Sequence, residues 1–149
     1  MIRCIEIVLG IPDNEARTAL ATLQRLGVAA AGLERADIYR CDVQESEADG
    51  LPAVLRGLET VFNPNKHVLR VREGDAPRSG EVWVDEMDRD APRAGPVRIS
   101  GRTLPGVRSL ERFVAWRLYA ADGAPAAPEV VTAATEILLC NPAFQKALR

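Results

Sequence analysis

Apolar positions along this chain follow two rhythms. Residues 2–9 (IRCIEIVL) are apolar and rich in β-branched side chains, the filling of a strand. Pro12-Asp13-Asn14 then supplies a helix start. In EARTALATLQRL the residues Ala16, Leu20, Leu23 and Leu26 recur at spacings of three and four, one face of a helix. Gly27 stands where a left-handed cap would close it. From Leu33 to Val43 the rhythm is two, with Leu33, Tyr39, Cys41 and Val43 on one face and Ala36 and Ile38 on the other. A second helix is predicted over 49–62, its stripe formed by Leu51, Val54, Leu55, Leu58, Val61 and Phe62. Pro64 ends it, because proline disfavours helical geometry in Asn63 and has no amide to donate. His67 to Arg72 reads as a third strand. The order of the first half is β-α-β-α-β.

The second half is less regular. Strands are predicted at Glu81 to Glu86 and Leu110 to Tyr119. Pro128 opens a helix to about Cys140, with Val130, Val131, Ala134, Ile137 and Leu138 facing inward. Between the strands, residues 92–106 (PRAGPVRISGRTLPG) carry three Pro and three Gly, so the first helix of this half is reduced to a loop with a short strand at Val97 to Ser100. The third strand is missing or reduced to AFQKALR. Both faces of the 110–119 strand are apolar: Val114, Trp116 and Leu118 on one, Phe113, Ala115 and Tyr119 on the other. That strand expects cover on both sides.

These two halves repeat each other. LERADIYR (33–40) returns as LERFVAWR (110–117), CIEIV (4–8) aligns with EVWVD (81–85), and Asn63-Pro64 returns as Asn141-Pro142. Three landmarks in the same order at offsets of 77 or 78 point to a tandem duplication. The expected fold is α+β, a tandem pair of ferredoxin-like βαβαβ units over 1–76 and 77–149, the second degenerate, joined by the polar stretch 73–80 (EGDAPRSG).

Composition narrows the function classes. The chain has 149 residues, 47% hydrophobic and 27% charged, with a net charge of −2. Nothing in that balance gives the basic face that nucleic acid requires or a polybasic membrane anchor. No apolar run approaches the roughly 18 residues of a membrane span. Cys4, Cys41 and Cys140 are odd in number and widely spaced, so a reducing cytoplasm is expected rather than a disulfide framework.

Chemical motifs are sparse. No phosphate loop, dinucleotide fingerprint or nucleophile elbow is written here, and no cofactor is expected. His67, the single histidine, lacks the partners of a metal site in NPNKH. It reads as a strand-end residue unless folding brings Cys4 or Cys41 to it. The run from Asp85 to Asp90 (DEMDRD) mixes acids with Met87 and Arg89, as a solvated loop does. Arg35, Arg40, Arg112 and Arg117 sit in the repeated phrases. Each can offer a fork to an anion or a subunit, or lie over an aromatic and pair across the seam between copies. Glu34 and Glu111 point away from the arginines beside them, so they are not the partners of those neighbours.

A βαβαβ unit whose second helix runs into Asn-Pro, here ETVFNP and EILLCNP, resembles the PurS subunit of phosphoribosylformylglycinamidine synthase. The phrase VRSLERFVAWRLYA (107–120) resembles part of the N-terminal domain of the single-chain form of that synthase, where PurS-like units are paired. Of the Arg and Gly-Lys that enter the second strand in that family, only the Arg is matched, at Arg35. The resemblance implies a part without catalytic activity of its own in an ATP- and glutamine-dependent complex of purine biosynthesis. It would bridge the synthetase and glutaminase parts and border the substrate site. Arg35, Arg40, His67, Arg112 and Arg117 are the candidate contacts to substrate or subunits. Association with further copies of the chain stays open.

Two other classes compete. A regulatory module of the ACT type has a similar element order and binds amino acids between paired units, with a glycine-rich first loop; the loop here is GIPDNEA. A small enzyme would use His67 or Cys41.

Overall fold

The structure is a computed structural model that describes residues 1–86 and 96–149. Its elements are β1 (Ile2–Leu9), α1 (Asn14–Arg25), β2 (Gly32–Val43), α2 (Glu45–Ala48), α3 (Leu51–Arg56), β3 (His67–Arg72) and β4 (Glu81–Glu86). There follow the hairpin β5 (Arg98–Ile99) and β6 (Arg102–Thr103), then β7 (Val107–Tyr119), α4 (Pro128–Ala134), a π turn (Thr135–Leu139) and β8 (Gln145–Leu148). This is an α+β fold with few helices and a six-stranded sheet in the order β3-β1-β2-β7-β4-β8.

Contacts divide the chain into two compact units that do not follow the halves 1–76 and 77–149. The first takes Met1–Ile11, Asp37–Asp75 and the described residues up to Arg112; the second takes Pro12–Ala36, the described residues from Ala76, and Phe113–Arg149. Each draws on both halves of the sequence, and β2 and β7 contribute to both.

In the first unit β1 pairs antiparallel with β3, Cys4 opposite Arg72 and Leu9 opposite His67. The Val43 N–H donates to the Met1 carbonyl at 2.8 Å, so β2 ends where β1 starts and this pair is antiparallel too. Gln44 N–H donates to Gly106 C=O at 2.8 Å, which fixes 37–43 of β2 beside 107–112 of β7. One face carries a core of Ile5, Ile7, Tyr39, Cys41 and Val43 against Leu51, Leu55, Leu58 and Val61. Leu55 is wholly buried, and a leucine so placed contributes about 2 kcal/mol. The predicted helix over 49–62 is shorter than expected. Within that span only α3 forms, opening after Gly50 and closing at Gly57, whose N–H turns back to Ala53 and Val54, while α2 precedes the span. Leu58 and Val61 stay inward through turns rather than helix.

In the second unit β4 pairs antiparallel with both β7 and β8, Val82 opposite Trp116 and Val84 opposite Ala147. Ala31 N–H donates to Tyr119 C=O at 2.8 Å, setting the start of β2 beside the end of β7. The core joins Leu33, Val82, Val84, Trp116 and Leu118 to Ala16 and Leu23 of α1, and to Val131, Ala134 and Leu139. Asp13 caps α1 by accepting from Glu15 and Ala16 N–H at 3.1 Å.

The helix after Pro128 departs from its predicted face. In a regular helix Ala134 would be followed inward by Leu138. Here the π turn closes through Cys140 N–H to Thr135 C=O, adding one residue to the turn. Leu139 takes the inward place at 6% exposure, while Ile137 and Leu138 are 48% and 41% exposed. The third strand of the second half is present in reduced form as β8, and β7 begins three residues earlier than the expected Leu110. The short strand expected at 97–100 is half of the β5–β6 hairpin, with Ser100 at φ 52 in its turn. Of the acidic run 85–90, residues 87–90 lie outside the described residues.

Candidate functional site

The four repeated arginines occupy two faces of their strands. In the second unit Arg35 lies over Trp116, guanidinium carbon to ring centroid 5.9 Å. It also grips Asp13 through Nε at 3.1 Å and Nη2 at 3.3 Å, and pairs with Glu15 through Nη1. The carboxylate that caps α1 is thereby tied to β2. In the first unit Arg112 lies over Tyr39 at the same 5.9 Å and reaches Asp37 at 3.4 Å. Each Leu-Glu-Arg phrase thus places its arginine over the aromatic of the other phrase. Such a contact contributes about 0.5–1 kcal/mol where solvent reaches it.

On the opposite strand faces sit Arg40 and Arg117. Arg40 forks onto Glu111 with Nε and Nη2 at 2.9 and 3.0 Å, and its Nη1 donates to the Asp75 carbonyl at 2.9 Å. The hydrogen bond to Glu111 holds its proton more tightly than usual. Arg117 donates from Nε to Glu81 at 2.7 Å, and burial pushes its pKa down from the ordinary guanidinium value. Glu111 therefore serves the other phrase's Arg40, as the alternation required. Glu34, its counterpart, accepts from the Tyr119 hydroxyl at 3.1 Å. Burial, then Glu34, raises the Tyr119 pKa.

Two acidic residues were overlooked in the sequence. Glu81, 3% exposed, accepts from Trp83 Nε1 at 2.6 Å as well as from Arg117. Glu6, 6% exposed, pairs with buried Arg72 at 3.4 Å. The available signal was that both acids interrupt an apolar strand, Glu6 in CIEIV and Glu81 at the head of EVWV. A carboxylate in such a place needs a buried cation.

His67 stands apart from the arginines. Its Nδ1 accepts from the Asn63 N–H at 2.8 Å, and its ring lies 6.0 Å from that of Phe62. The thiols are not brought to it. Cys4 is five strand positions from Leu9, the residue opposite His67, or about 16 Å along β1 at roughly 3.3 Å per residue. Burial pushes the Cys4 thiol up, and burial with Cys4 nearby pushes Cys41 up to about 12. Neither is a thiolate at neutral pH.

Among the described residues no group of His, Cys, Asp or Glu gathers to hold a metal ion, and no helix is long and apolar enough to cross a membrane. Of the four arginines, Arg112 is the one solvent reaches most, with 58% of its side chain exposed against 25% or less for the others. An incoming anion would have to displace a carboxylate from any of them. The chain matches no family model, no curated protein and no solved structure.

Proposed function

We propose that the chain is a tandem PurS-like scaffold, a cytoplasmic part of an amidotransferase complex of the phosphoribosylformylglycinamidine synthase kind. In a ferredoxin-like sheet the first strand lies between the fourth and the third, and the second strand lies at the edge. The first unit fits that order as β3, β1, 37–43 of β2 and 107–112 of β7; the second fits as β8, β4, 113–119 of β7 and 32–36 of β2. On this reading each unit takes its first crossover and its edge strand from the opposite half of the sequence. α1 serves the second unit, and the segment containing the β5–β6 hairpin serves the first.

The observation that carries the reading is the reciprocal stacking of Arg35 on Trp116 and Arg112 on Tyr39. Arginines of the repeated phrases are spent on joining segments from the two sequence halves inside each unit. A scaffold whose duty is to present surfaces to a synthetase and a glutaminase uses its repeated residues in this way. Purification of the tagged chain from its own source tests it. Recovery of a glutamine-dependent synthetase in stoichiometric amount is the expected result, with no ATPase or glutaminase activity in the chain alone. A chain recovered alone, or one whose melting temperature rises sharply with a single free amino acid, would replace the scaffold with a regulatory module of the ACT type.

A further inference from the structure

Two adjacent leucines compete for one place. In the second unit Val131, Ala134 and Thr135 are buried along α4 and the start of the π turn, and Leu139 completes the row. Continued as a regular helix, the same chain would set Leu138 below Val131 and Ile137 below Val130, each seven residues on and on the same face. Val131 is buried, and Val130 packs partly buried against the same core. The π turn instead seats Leu139 and leaves Ile137 and Leu138 48% and 41% exposed. Apolar burial along this helix therefore favours the α geometry, in which two large side chains go in for the one that comes out.

Bonds further along the chain favour the π turn. Cys140 N–H donates to Thr135 C=O at 3.2 Å, one residue farther back than in an α turn, so the helix takes up one residue more before it ends. The chain then closes on Asn141. Its carbonyl accepts from Phe144 and Gln145 N–H at 3.2 and 2.7 Å, its side chain accepts from Ala143 N–H at 3.0 Å, and its N–H donates to Gln145 Oε1 at 2.8 Å. Beyond it β8 is registered on β4, with Gln145 opposite Glu86 and Lys146 opposite Asp85. With Gln145 held there, an α geometry would pass the extra residue into 140–144 and open the Asn141 turn. The first half provides the contrast. The Asn63 carbonyl accepts from Lys66 and His67 N–H, its side chain accepts from Asn65 N–H, and its own N–H goes to His67 Nδ1. That turn makes the same bonds, but α3 ends at Gly57, so helix and turn share no residue.

We infer that the stretch Thr135–Leu139 is a two-state register switch. In its π state Leu139 fills the core and the Asn141 turn is closed; in its α state Leu138 takes that place and the turn is open. Both states put a leucine in the core, so neither leaves a cavity there. Cores with two discrete packings switch between them rather than deform by degrees. The exposure of Leu138 is then that of a residue waiting for its place, next to the residue that holds it. Whatever closes or opens the Asn141 turn sets which leucine is buried. The switch belongs to the second unit alone and does not depend on which complex the chain joins.

Methyl relaxation dispersion on the full chain, with a soluble paramagnetic probe to report exposure, tests it. The wild type is expected to show microsecond-to-millisecond exchange at the Leu138 and Leu139 methyls, with Leu138 the more strongly relaxed by the probe. Leu138→Thr removes the core residue of the α state and should abolish the exchange while melting stays cooperative. Gln145→Ala removes the acceptor of the Asn141 N–H and should raise the α population several-fold. Leu139→Thr removes the core residue of the π state and should still melt cooperatively, now with Leu138 protected from the probe. Flat dispersion in both the wild type and Gln145→Ala, or exchange that persists in Leu138→Thr, would overturn the switch. A Leu139→Thr chain that unfolds, or that keeps Leu138 exposed, would overturn it too, in favour of one fixed register.

Discussion

His67 and Gln145 are different residues doing one task. Each accepts the N–H of the asparagine four residues before it, at 2.8 Å in both turns. Acceptance at Nδ1 leaves the proton of the neutral ring on Nε2, so the histidine is used here as an acceptor on a short arm. Glutamine supplies the same acceptor in the other half. His67→Gln is therefore expected to unfold in urea within about 0.5 kcal/mol of the wild type. His67→Ala, which leaves the Asn63 N–H without that partner, should cost about 1 kcal/mol. Equal losses in the two variants would mean that the turns are not equivalent. None of this pairing was legible in NPNKH, because a histidine in a strand end looks the same whether it accepts, donates or merely packs. The partners of the arginines were illegible for a related reason. Arg40 meets Glu111 and Arg35 meets Asp13 only once register is set, and a single sequence does not print register.

Elements that obey one periodicity throughout were legible, and elements that change it partway were not. The strand limits at His67–Arg72 and Glu81–Glu86 match those expected, and α1 has its cap at Asp13 and its left-handed glycine at Gly27, φ 86. The helix expected over 49–62 failed at Gly50 and Gly57, two local breakers overruled by an apolar stripe that turns can also satisfy. At Pro128 the expected start holds, but the expected inward face is lost after Ala134, where the chain changes from 3.6 residues per turn to a π turn. That change makes a prediction at the scale of the element. Deleting Ile137 removes the extra residue, restores the α phase and brings the present Leu139 to the inward position without it. The shortened chain should fold and melt cooperatively with stability within about 1 kcal/mol of the wild type, as π turns behave as single-residue insertions. Loss of the cooperative transition on thermal denaturation would show that the π turn is demanded by packing.

For the whole molecule, the sequence halves and the compact units are different divisions of the same residues. The repeat at offset 77 is visible in the letters, while the division by contacts follows from which segment each strand finds beside it. Residues 1–76 contain β1, β3 and most of the first core but lack 107–112 of β7 and the hairpin that carries Leu104, both part of that unit. They also hold α1, whose Ala16 and Leu23 are buried against residues of the other half such as Val131 and Trp116. Residues 77–149 have the converse deficit: β4, β7, β8 and α4 without α1 and without Leu33 of β2, which belong to the same core. A half expressed alone would expose the apolar side chains its missing segment covers, several at about 2 kcal/mol each, against a net stability of only about 5–15 kcal/mol for a domain. Each half alone is therefore expected to give the collapsed amide spectrum of an unfolded chain, and an equimolar mixture to recover dispersed signals of the whole protein. Had the compact units followed the repeat, either half would fold unaided. A dispersed spectrum from 1–76 by itself is the observation that would return the molecule to two independent domains in series.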